Sequence, residues 1–201
     1  MRFAVVALVL AGCGGSAPSS APSGGGLTVD VALATAATDS DVAIASVAME
    51  LGQMIAVSDR SAGDARATIS DLELGLGDTR VLAMPVAPPG IYSAVDAQLG
   101  TSSEDGLVVE AVWNQVRVHV TLAATPFDVG CPTPARLEPG THVALALSAD
   151  PASWFDGIDL RSAASDADDE GIVISDDDNR TMAAALRANV LGSFTLDCAI
   201  D

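Results

Sequence analysis

The run Leu27-Thr28-Val29-Asp30-Val31-Ala32-Leu33 sets large apolar side chains at every second position and small or polar ones between them. A helix repeats every 3.6 residues and cannot keep such a pattern on one face, whereas a strand with one wet face produces it directly. The period returns in Val47, Met49 and Leu51 around Glu50, in Leu72, Leu74 and Leu76 around Glu73, and in Val-Arg-Val-His-Val-Thr-Leu from Val116 to Leu122. Segments of this kind bury their apolar faces by pairing into sheets and stacking the sheets. Two stretches, residues 87–95 and 137–147, place a Pro-Gly turn ahead of such a strand, proline fixing φ and glycine accepting positive φ. Near the C-terminus the period changes. Asp178 or Asn179 can cap a helix that stacks Met182, Leu186 and Val190 on one stripe and stops at Gly192, and Ser193 to Cys198 reads as a last strand. The expected fold is mainly β, an antiparallel β-sandwich of seven to nine strands with one late α-helix near residues 179–191.

Composition sets what fills that sandwich and what it can bind. Hydrophobic residues make up 49% of the chain but aromatics only 3%, so the core has to be aliphatic. The formal net charge is -18, and all nine basic residues are arginines. That balance argues against nucleic acid, whose binding needs clustered positive charge, and against an electrostatic membrane patch. The lack of lysine removes Schiff-base chemistry. No G-x-S-x-G elbow, H-E-x-x-H, C-x-x-C or Gly-rich phosphate loop occurs, and the GLGDTR stretch beginning at Gly75 lacks a third glycine, so it reads as a strand end and a turn. The expectation is a non-catalytic binding or structural domain with no resident cofactor unless calcium is one.

At the N-terminus, Arg2 precedes an apolar stretch from Phe3 to Leu10, which is the layout of an export signal too short to span a bilayer. The following Leu10-Ala11-Gly12-Cys13 resembles the lipobox of bacterial lipoproteins. The resemblance implies cleavage before Cys13, acylation of that cysteine and attachment to a membrane of the cell envelope. Gly14, a non-acidic neighbour, resembles lipoproteins sorted to the outer membrane, which would leave the domain in the periplasm or at the cell surface. An ordinary cleaved signal with a spare cysteine is the alternative. Residues 14–26 carry no apolar side chain larger than alanine or proline and read as a tether with a span of about 20 Å. The organisation is then signal peptide 1–12, lipidated cysteine and tether 13–26, and folded domain 27–201. With Cys13 acylated, Cys131 and Cys198 remain as an even pair in an oxidising compartment and are expected to bond, two buried free thiols being the alternative. The Pro-Gly turn followed one residue later by Tyr92 also resembles the edge of prealbumin-like (transthyretin-like) sandwich domains.

Three sets of residues are candidates for chemistry. His119 and His142, the two histidines, both fall on wet strand faces and could share a metal ion if their strands were neighbours. Trp113 and Trp154 are read as packing residues, Trp154 on a short helical turn begun by Pro151 that plugs one end of the sandwich. The acidic stretch from Asp166 to Asp178 holds seven carboxylates and no basic residue. Set on a calcium-loop frame, Asp166, Asp168 and Glu170 take the first, third and fifth positions, Gly171 the sixth, the Ile172 carbonyl the seventh and Asp177 the twelfth. Asp177 departs from the usual glutamate, and Ile174 leaves the ninth position without a side-chain oxygen. The competing reading is a solvated acidic loop ahead of the helix. An enzyme would need a cleft joining His119 or His142 to a carboxylate at hydrogen-bond distance, and a calcium-dependent adhesive or assembly module would need the loop oxygens to converge.

Overall fold

The computed structural model describes residues 26–35, 41–59, 63–67, 72–85, 87–101, 105–164 and 171–200. They form two packed sheets. The first has the order β12-β10-β1-β5, with β1 Gly26–Leu33, β5 Thr79–Met84, β10 His142–Ala149 and β12 Phe194–Ile200. The second runs β11-β8-β7-β2-β6-β9, with β2 Val42–Ser58, β6 Gly90–Leu99, β7 Asp105–Trp113, β8 Val116–Ala123, β9 Thr125–Leu137 and β11 Ile172–Ile174. Two short strands, β3 Ala65–Ala67 and β4 Leu72–Leu74, pair with the long β2. The helices are α1 Leu160–Ala164 and α2 Arg180–Gly192, the latter where the change of period places it.

The alternation seen in the sequence becomes the core. Leu27, Val29, Val31 and Leu33 of β1 share one buried core with Met49, Leu51, Leu107, Val109, Val118, Val120 and Leu122 of the second sheet. Each such aliphatic side chain contributes about 1.5–3 kcal/mol when fully removed from water. Among the described residues no polar or charged residue is buried, so the interior is as aliphatic as the composition requires.

The pairing is antiparallel with two exceptions that the alternation could not reveal. β1 runs parallel to β10 over eight residue pairs, and β11 runs parallel to β8 over three. Parallel neighbours need long crossovers, and nearly the whole second sheet intervenes between β1 and β10. The strand count also exceeds the expectation. β3, β4 and β11 have three residues each, too few to carry a period.

One side of the sandwich is closed by β9 and β12, the edges of the two sheets. β9 pairs with β6 up to Gly130, then leaves the ladder and rejoins at Ala135. The interruption is Cys131-Pro132-Thr133-Pro134, where two residues without an N–H cannot donate to a ladder. Here Cys131 reaches Cys198 of β12, with Cα atoms 5.9 Å apart and a sequence separation of 67 residues. Phe127 and Phe194 stack beside the bridge with ring centroids 4.5 Å apart.

The poles are fixed by two aromatics. A 3₁₀ turn at Pro151–Ser153, started by Asp150 accepting from the Ala152 N–H at 2.9 Å, carries Trp154 fully buried into the end of the core. Its indole Nε1 donates to Ser193 Oγ at 2.9 Å, and the Asn189 side chain donates to the carbonyls of Trp154 and Asp156, so the plug is fastened to the end of α2. At the other pole Tyr92 is buried and its hydroxyl donates to the Pro88 carbonyl at 2.8 Å, tying the Pro-Gly turn to β6 like the tyrosine corner of other β-sandwiches. Burial, with the charges of Asp64 and Asp59 adding, raises its pKa above the ordinary phenol value.

Candidate functional site

The two histidines do not meet. His119 lies on β8 and His142 on β10, strands of different sheets, so the shared-metal expectation fails on topology. His142 packs its ring over Gly26, where an added Cβ would come within 2.8 Å of Cδ2.

His119 has instead acquired a carboxylate. β7 and β8 are joined through Asn114 and Gln115, both at positive φ (48° and 69°), the two-residue turn whose twist suits a hairpin. That turn sets Trp113 opposite Val116, and counting back along both strands puts Glu110 opposite His119. Glu110 Oε1 lies 2.6 Å from His119 Nδ1, and Thr121 Oγ1 lies 3.1 Å from Nε2. A carboxylate only accepts, so Nδ1 carries the proton; in the neutral ring Nε2 is then the acceptor and the Thr121 hydroxyl donates to it. The imidazole is held at both nitrogens.

Above this pair is an open hollow of about 340 Å³ lined by Glu110, Arg117, His119 and Val173. Val173 stands beside His119 in the β11–β8 pairing, and Val112 stands opposite Arg117 in the β7–β8 pairing. β11 comes this close because Gly171, at φ +103°, leaves room for no side chain: a Cβ there would sit 2.5 Å from the Arg117 carbonyl oxygen. The glycine that the calcium frame places at its sixth position is thus required by contact with β8.

Of the calcium-frame residues, Asp166, Asp168 and Glu170 lie outside the described residues, as does Cys13. Ile172 begins β11 with its side chain buried, and Asp177 is exposed with Arg180 Nη2 3.7 Å away. Asp176 accepts two contacts at 2.7 Å from Arg187 Nη2 and a longer one, 3.3 Å, from the Ala123 N–H. The hydrogen bond from Arg187 is the main reason its pKa falls below the ordinary carboxylate value; the Ala123 N–H and the charges of Arg187 and Arg180 add to it against a desolvation effect of opposite sign. Among the described residues no group of three or more His, Cys, Asp or Glu side chains converges as a metal site.

Asn179 occupies the cap position of α2 without making a side-chain cap, because it sits at φ 54°; its Nδ2 donates to the Val173 carbonyl at 2.6 Å. Ser175 Oγ instead accepts from the N–H groups of Asp177 and Asp178 and shapes the entry to the helix. Trp113 is partly buried against the core, and Trp154 is the plug described above. No protein-family model, curated protein or solved structure matches the chain.

Proposed function

We propose that this chain is a lipid-anchored protein of the bacterial cell envelope, acylated at Cys13, with residues 27–201 serving as a non-catalytic binding domain whose ligand occupies the hollow over His119. The anchor rests on the lipobox directly after an apolar segment, on the tether that follows, and on a charge of -18 that leaves attachment to the lipid. The observation that carries the binding half is the hollow itself: an imidazole fixed at both nitrogens, a guanidinium and the apolar side chain of Val173 converge on one face of a sandwich.

The order Thr121, His119, Glu110 is also that of a hydroxyl–imidazole–carboxylate relay. Here, however, the side chains of His119 and Glu110 are 41% and 50% exposed, where water competes for every donor and a developing oxyanion would gain little. Hydrolysis of p-nitrophenyl acetate by the full chain is therefore expected to be the same in Thr121→Val as in the parent. A drop of about tenfold or more in that variant would make the relay catalytic.

The anchor is tested by growing cells with a clickable palmitate analogue. Label on the chain, and its loss together with release into the soluble fraction in Cys13→Ser, is the expected result; an unlabelled parent chain overturns the anchor.

A further inference from the structure

The chemistry of the hollow narrows the ligand, on the reading that the hollow is a binding site. Arg117 projects on the wet face of β8, two residues from His119, and lines the hollow with it. Arg80, Arg136, Arg180 and Arg187 each stand within 4 Å of a carboxylate. Arg117 has no such partner among the described residues, in a chain with three acids for every base. Glu110, the one carboxylate of the hollow among the described residues, is directed at His119 Nδ1 by a 2.6 Å contact. Arg66 and Arg161 also lack a carboxylate partner among the described residues, but of the three only Arg117 lines the hollow, and carboxylates match its planar fork with two parallel hydrogen bonds.

One wall of the hollow is apolar, formed by Val173. Outside the lining, Val112, directly opposite Arg117, is 39% exposed and is one of two exposed large hydrophobic side chains among the described residues. Such a volume lies at the small end for ligand sites.

We propose that the hollow binds an aliphatic carboxylate, its oxygens paired to the Arg117 guanidinium and its branched tail against Val173. Two sources carry that chemistry: a free short-chain acid, and the C-terminal carboxylate of a peptide ending in an aliphatic residue.

The test is amide-shift titration by NMR of the full chain, exported with its disulfide formed. Salt of about 0.15 M keeps the Debye length near 8 Å, so the chain's net charge does not repel the probe at long range. The probes are 3-methylbutanoate, its amide and 3-methylbutylamine, with the peptide Gly-Gly-Val as free acid and as amide. The expected result is saturable shifts at residues 110, 112, 117–119 and 173 with the two acids and not with the amides or the amine. The tighter of the acids identifies the source. Arg117→Gln should weaken binding by about tenfold or more, Arg117→Lys should fall between, and Arg66→Gln, on β3, should bind as the parent does. Equal shifts with the amides or the amine would overturn the carboxylate and leave the hollow as a binding site for another class. Shifts with no probe at those residues would remove the binding reading itself.

Discussion

Removing the Cys131–Cys198 bridge tests how the two sheets are held together. The bridge closes a loop of 67 residues between the edge strands β9 and β12. In the chain-entropy model, opening a loop of that length returns about 15 cal/mol/K to the denatured chain, or about 4 kcal/mol at 25 °C. For a domain of this size that corresponds to a fall of about 8–16 °C in Tm. The perturbation is the double variant Cys131→Ala, Cys198→Ala, followed by circular dichroism during heating and in urea. The urea slope should rise as well, because the unbridged denatured chain exposes more surface. Phe127→Ala serves as the control. It removes the ring contact with Phe194 on the same seam without freeing the loop, and should lower stability without steepening the slope. A loss below about 1 kcal/mol for the double variant, with an unchanged slope, would refute the entropic reasoning and assign the closure to contacts such as that ring pair.

Gln115 sits at φ 69° in the β7–β8 turn, where glycine is unstrained, so Gln115→Gly should stabilise the domain by about 1 kcal/mol in urea titration; a loss would mean that the side chain has a use. The lowered pKa of Asp176 implies stability that is present above the ordinary carboxylate value, near 4, and is lost as pH falls through the lower folded value. Asp176→Asn should therefore melt below the parent at pH 7 and converge with it near pH 2, and a constant gap across that range would sink the argument. The raised pKa of Tyr92 works in the opposite sense. The stability it contributes is complete below pH of about 10 and lost above it, so Tyr92→Phe should flatten the alkaline fall while losing about 1 kcal/mol at pH 7 with the Pro88 hydrogen bond. Millimolar calcium against chelator should leave the midpoint within about one degree, since Asp176 is engaged by Arg187 and Asp177 stands beside Arg180. A calcium-specific rise of a few degrees, abolished by Asp168→Asn, would establish the acidic stretch as a metal site.

What the sequence made legible follows physical range. Strands long enough to alternate, such as β1 and β8, declared both their existence and their buried face, because side-chain direction in a strand is a local property. The helix after Asp178 and the turn at Trp154 were legible for the same reason. Partner choice was not. The parallel pairing of β1 with β10 depends on contacts across more than a hundred residues, and β9 was hidden by its three prolines, which it carries as a sheet edge. The Glu110–His119 pair lay between these cases. Its signal was present in Trp113-Asn114-Gln115-Val116: once that is taken as a two-residue hairpin, the register follows by counting. Asn-Gln lacks the glycine that marks such turns, so the residues alone do not signal the hairpin.

The place of β1 bears on how the domain withstands a pull. Gly26 begins a strand flanked on both sides, parallel to β10 over eight pairs and antiparallel to β5 over six. A tug on Gly26 along the strand axis, resisted from the opposite pole, loads the hydrogen bonds of both ladders at once in shear. They share the load and yield together, whereas an edge strand drawn sideways parts one bond at a time. A pull applied at Gly26 is therefore met by fourteen residue pairs on the two sides of β1.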